Sequence, residues 1–238
     1  MKPTALIRCA AAAVVLVATA CGTSETESGT PIAESSETAT TTTTTRAAAA
    51  PSRERIAPRE ESAPGPATTI ADYIAEHDIR ETPVFRGDPG APTVDLPFPE
   101  DWEDAGADTP EWAYGAIYYS GPGAEEYTPS IVALMSRLTG DVDPDAIIEY
   151  AAGELTNLPG WEPLSRGRTS TLSGFPAYQL GGTWVQDGVT KVVAQKTAVV
   201  PGNDGLYVLQ LNADGLESQL DIIGPATDII DDQTVITP

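Results

Sequence analysis

The sequence predicts an α+β fold, an antiparallel sheet flanked by helices. Three observations predict it. Branched and aromatic residues come in consecutive runs at 114–119, 131–138, 177–185, 189–200 and 206–213, the pattern of strands. Two of these runs meet at Asp187-Gly188, a pair that closes a tight antiparallel hairpin because both residues tolerate positive φ. Helical patterns sit mainly at the two ends with one in the middle, rather than between every pair of strands, so helices should cover one antiparallel sheet.

The elements follow in chain order. Thr69 can cap a helix over 70–78, with Ile70, Tyr73 and Ile74 on one face. Residues 83–99 read as loop with an extended piece near Val94 to Leu96. Asp143-Pro144 opens a helix through about Leu155, because Pro suits the first turn and acids suit its positive end. Leu216 to Asp232 reads as a helix interrupted or kinked at Pro225.

The N-terminus is an address. Lys2 and Arg8 precede a short apolar run from Cys9 to Ala20, too short to span a bilayer and typical of a secretory signal. It ends Val17-Ala18-Thr19-Ala20-Cys21-Gly22. Small residues before a Cys resemble a bacterial lipobox, in which the Cys takes a diacylglycerol and becomes the acylated (palmitate-bearing) N-terminus. Ala18 stands where Leu is usual. Two or three acyl chains on Cys21 make a stable anchor, which predicts a lipid-anchored protein on the extracytoplasmic face of the cell membrane. The chain has 2 Cys, and Cys9 would leave with the signal, so the folded part has none for disulfides.

The expected organisation is a signal peptide at 1–20, a lipidated N-terminus and tether at 21–66, and one domain at 67–238. The tether is rich in Thr, Ala and Pro, with Ile32 and Ile56 its only large apolar residues, too few to offset the entropy of ordering it. As a coil it spans roughly 40 Å end to end. The whole chain has a formal charge of −22. Residues 67–238 hold 7 basic and 28 acidic residues, a charge of −21. Nucleic acid is not expected as a partner, since binding it needs clustered Lys and Arg.

Candidate chemistry is sparse. His77, the single histidine, lies in Glu76-His77-Asp78 at a helix end and reads as solvated. With no other His and no remaining Cys, a zinc site lacks ligands. Asp141-Val142-Asp143-Pro144-Asp145 starts like a calcium loop, but Ala146 and Ala152 stand where Gly and Glu are required. It reads as an acidic helix cap. No metal, cofactor or catalytic residue is expected, and the chain is not expected to be an enzyme. A hydrolase would need a carboxylate pair that spacing cannot reveal. The stretch from Leu180 to Asn212, with Tyr178 just before it, is the most informative. Tyr178, Leu180, Gly182 and Trp184 share one strand face, and Leu206, Val208, Gln210 and Asn212 share another. Gln195 and Lys196 lie in a valine-rich strand, and Gly181-Gly182 leaves room beside Trp184. An aromatic ring beside amide donors suits a sugar or lipid headgroup. Tyr178, Trp184, Gln195, Lys196, Gln210 and Asn212 are therefore the candidate ligand-binding residues. Trp102, Trp112 and Trp161 lie near loops, where they would line a pocket mouth or cap the core.

Several segments carry a family resemblance: IADYI at 70–74, ETPVFRGDPGAPTVDLPFPEDW at 81–102, LTGDVDP at 138–144 and GELTNLPG at 153–160. VAQKTAVVP at 193–201, VLQLNAD at 208–214 and QTVITP at 233–238 extend it. With the lipobox and the Thr-rich tether, the chain resembles the LpqN/LpqT-type lipoproteins of mycobacteria and related actinobacteria. The resemblance implies a Mog1/PsbP-like α/β/α sandwich. It also implies a non-enzymatic envelope protein tied to lipid biogenesis, with an envelope glycolipid or lipid-export proteins as partners. The alternative is a protein-interaction module, with an envelope or host partner and no small ligand.

Overall fold

The computed structural model describes Ile56 and residues 65–238. The predicted signal peptide, Cys21 and most of the tether lie outside the described residues. One antiparallel sheet carries the fold. Its central strands are β5 (Ser130–Thr139), β8 (Phe175–Gln186), β9 (Val189–Gly202) and β10 (Gly205–Leu216). They lie in the order β5-β10-β9-β8. Beyond β5 come β1 (Arg80–Pro83) and β4 (Gly115–Tyr119), which share its free edge, then β3 (Trp102–Asp104). Beyond β8 come β6 (Glu162–Pro163) and β7 (Arg168–Leu172). A separate ribbon pairs β2 (Thr93–Asp95) with β11 (Val235–Thr237), joining Ile236 to Val94 near the C-terminus.

Two-residue turns fix the long hairpins. Asp187 and Gly188 have φ of 52° and 80°, and Ser173 and Gly174 have 51° and 83°. Paired positive φ twists a turn in the sense that matches the strands it joins. The β8–β9 register then places Trp184 beside Lys191 and Leu180 beside Gln195.

Helices cover both faces. On one lie α1 (Ile70–Glu76), α2 (Pro144–Tyr150) and α3 (Gly153–Thr156). Ile70, Tyr73 and Ile147 pack there against Leu138, Val199 and Val208. On the other lies α4 (Leu220–Gln233), whose Ile223, Ala226 and Ile230 pack on Leu209, Leu211 and Ala213. The expected helix through Leu155 is two helices, separated at Ala151-Ala152. A Cβ on Gly153 would lie 2.1 Å from the Thr68 carbonyl oxygen, so the backbone before α1 abuts α3 directly. Helix α4 runs through Pro225 rather than ending there. Ile56 departs from the tether reading. It is 5% exposed and packs with Ala105, Ala113, Ala116, Tyr118 and Val132 at the β4 end of the sheet.

Candidate functional site

Alternation along the strands sorts the six predicted site residues. Trp184, Gln195, Gln210, Asn212 and Tyr178 all point to the sheet face that carries α1 to α3. Lys196 points the other way. It is buried beneath α4, its Nζ 2.8 Å from Asp231 Oδ2 and 3.1 Å from Gln179 Oε1. Strand parity separates it from Gln195, so it does not belong to the same cluster.

On the α1 to α3 face the amides form a row. Gln195 Nε2 donates to Asn212 Oδ1 at 2.9 Å, and Gln210 follows on the same strand. Thr197 lies beside Gln210 and is fully buried, and its hydroxyl has no hydrogen-bond partner among the described residues. Trp184 Nε1 is also buried without one. The room predicted beside Gly182 is taken up inside the chain. A Cβ there would meet the Trp161 ring at 2.4 Å. Trp161 therefore packs on β8, while Trp102 is buried against Tyr119, and Trp112 is exposed.

One end of this face holds a buried ionic cluster that sequence reasoning missed. Lys191 Nζ lies 2.8 Å from Asp214 Oδ1 and donates to the Tyr127 hydroxyl at 2.8 Å, while Tyr127 donates to Asp214. Lys191 also sits over the rings of Tyr127 and Trp184, at 4.6 and 5.6 Å. Burial, reinforced by the Asp214 charge, pushes the Tyr127 hydroxyl far above its ordinary range. Burial likewise raises the Asp214 carboxyl, against the pull of Lys191. Tyr127 lies in a loop far from both partners in sequence, so no spacing could have joined the three.

At the other end, Gln210 borders a cleft of about 210 Å³ between α1 and strands β5 and β10. Ile70, Ile74, Leu134 and Val208 make its apolar lining, and Glu81, Ser136, Glu154 and Gln210 its polar one. Ser136 Oγ donates to Glu81 Oε1 at 2.6 Å. The cleft combines apolar surface with carboxylate, hydroxyl and amide groups, which suits a hydroxylated ring. Its wall, α1, is positioned by a capping box. The Thr69 hydroxyl accepts from the Asp72 N–H, and the Asp72 carboxylate accepts from the Thr69 N–H. The other sequence candidates have structural roles. Asp143 caps α2 by accepting from the Asp145 N–H at 2.9 Å, and His77 packs against Tyr73 with ring centres 4.6 Å apart and planes tilted by 44°.

The family model for probable lipoprotein LpqN matches residues 66–237. The chain belongs to the LpqN lipoprotein family. The lipoprotein LpqN of Mycobacterium tuberculosis is 48% identical over 176 residues, covering 74% of this chain and 77% of that protein. A crystal structure of LpqN from the same organism, described as involved in cell envelope biogenesis, is similar at a TM-score of 0.68. The match has 48% identity and covers 73% of this chain and all of that one. The Ran-binding protein Mog1p of Saccharomyces cerevisiae is a distant likeness, 14% identical at a TM-score of 0.41, over 66% of this chain and 95% of that one. The antiparallel sheet between helices agrees with the LpqN structure, as the sequence led us to expect. The LpqN relatives are named as lipoproteins rather than as enzymes.

Proposed function

We propose that this protein is held on the extracytoplasmic face of the cell membrane through Cys21 and binds the headgroup of an envelope glycolipid, serving that lipid's transport or assembly. The observation that carries the reading is the cleft beneath α1, where apolar side chains meet Glu81, Ser136, Glu154 and Gln210. Two carboxylates in the lining, on a domain of charge −21, disfavour an anionic headgroup and favour an uncharged polyhydroxyl one, such as a trehalose-type sugar. At about 210 Å³ the cleft falls below the usual range for enclosing a drug-sized ligand, so it suits a headgroup rather than an acyl chain. The chain would stay in the bilayer while the tethered domain holds the sugar. The involvement of the M. tuberculosis relative in envelope biogenesis supports the same reading.

Native mass spectrometry tests it. The full-length chain, released from its own envelope in mild detergent, is expected to carry a glycolipid and to show a bound mass after titration with a trehalose glycolipid. A bare protein in both measurements would sink the proposal and leave the interaction-module alternative.

A further inference from the structure

A second pocket lies on the opposite face of the sheet, between α4 and strands β8 and β9, with a volume of about 120 Å³. Its floor is small and apolar: Gly181 and Ala194 leave the hollow, and Ile131 and Leu211 continue it. Its rim is basic. Arg166, Arg168 and Lys196 are three of only 7 bases in residues 67–238, and all three line it. In a domain this acidic, most bases would be expected to sit beside carboxylates. Arg86, Arg137, Lys191 and Lys196 do. Arg80, Arg166 and Arg168 have no such partner among the described residues, and two of these three line the pocket.

Lys196 also orients a third donor. An ammonium only donates, so Gln179 must turn its Oε1 toward Lys196, where it also accepts from Ser170 Oγ at 3.0 Å. Both amide protons of Gln179 are then left without a partner among the described residues. Asp231 is already neutralised by Lys196. The remaining acid of the lining, Asp228, is exposed on α4 and can accept hydroxyls. Two unpaired guanidinium forks and an unpaired amide around one hollow match a tetrahedral oxyanion, which guanidinium groups bind bidentately.

We propose that this pocket binds a phosphate or sulfate ester of a hydroxylated headgroup. Arg166, Arg168 and Gln179 hold the oxyanion, and Asp228 takes a neighbouring hydroxyl. The site uses none of the residues of the α1 cleft, so the two proposals stand or fall separately.

The test titrates the full-length chain by calorimetry with inorganic phosphate, inorganic sulfate, glycerol 3-phosphate and dihexanoyl phosphatidylglycerol. Saturable binding of at least one is expected, weakening as salt is raised. Arg166→Gln/Arg168→Gln removes both charged contacts and should lower that affinity by at least about tenfold, the loss expected from even one of them. Both arginines are exposed, so this variant should keep the parent's unfolding midpoint. Ala194→Leu, which fills the hollow, should also abolish binding. Preference for phosphatidylglycerol assigns the site to lipid headgroups, and preference for glycerol 3-phosphate to soluble esters. Absence of saturable binding to all four probes, or equal binding by the parent and the double-arginine variant, overturns the proposal.

Discussion

Lys191 is 7% exposed in its side chain, and its charge is tolerated because Asp214, Tyr127 and two aromatic faces surround it. Burial raises the Asp214 carboxyl above its ordinary value of 3.8, so the folded chain keeps a proton that the unfolded chain releases. That contribution to stability is fully present below the unfolded value and is lost as pH rises through the raised one. Asp72 and Asp204 have the opposite sign. The Thr69 N–H lowers the first, and the Tyr207 hydroxyl and then Arg137 lower the second, so their contributions are lost as pH falls. Asp214→Asn fixes the uncharged form and removes only the first effect. Its destabilisation, read by urea unfolding at several pH values, should be largest in acid and shrink toward neutrality. A cost that grows with pH would mean that Lys191 outweighs burial.

Helix α1 is only two turns long, so its ends decide whether it forms. Thr69→Ala removes the hydroxyl that caps Asp72 and should cost about 1 kcal/mol in urea unfolding. Because α1 walls the cleft, the same variant should also weaken glycolipid binding. Gly153→Ala drives a methyl into the Thr68 carbonyl and should cost about 1–3 kcal/mol, seen as a lower melting temperature. The capping box, the four central strands and the Asp187-Gly188 turn were legible because each is set by residues close in sequence. Strands β1, β6 and β7 were not, because they are short, polar and mostly exposed, and only pairing with β5 or β8 makes them strands. The candidate site was legible to the same extent. Parity along β10 put Gln210 and Asn212 on one face and parity along β9 put Gln195 and Lys196 on opposite faces, but which of those two joins Gln210 needed the observed register. Glu81, Glu154 and Ile70 reach the cleft from β1, α3 and α1, and no local signal relates them to Gln210.

At the scale of the whole molecule, a domain of charge −21 has no electrostatic attraction to an anionic bilayer. In the proposed reading, membrane residence rests on the lipid at Cys21 alone. Cys21→Ser should therefore move the protein from the membrane fraction to the soluble one, and retention in the membrane would refute lipidation there. The proposed headgroup site is the cleft beneath α1, lined by Gln210, Glu81 and Glu154. Ala71 borders that cleft from the exposed side of α1, so Ala71→Trp blocks it while leaving the core intact. The decisive measurement is a calorimetric titration of the parent and Ala71→Trp chains with a trehalose glycolipid, with unfolding midpoints compared alongside. A headgroup site in this cleft predicts saturable binding by the parent, loss of at least about tenfold in the variant, and unchanged midpoints. Equal binding by both chains would contradict it.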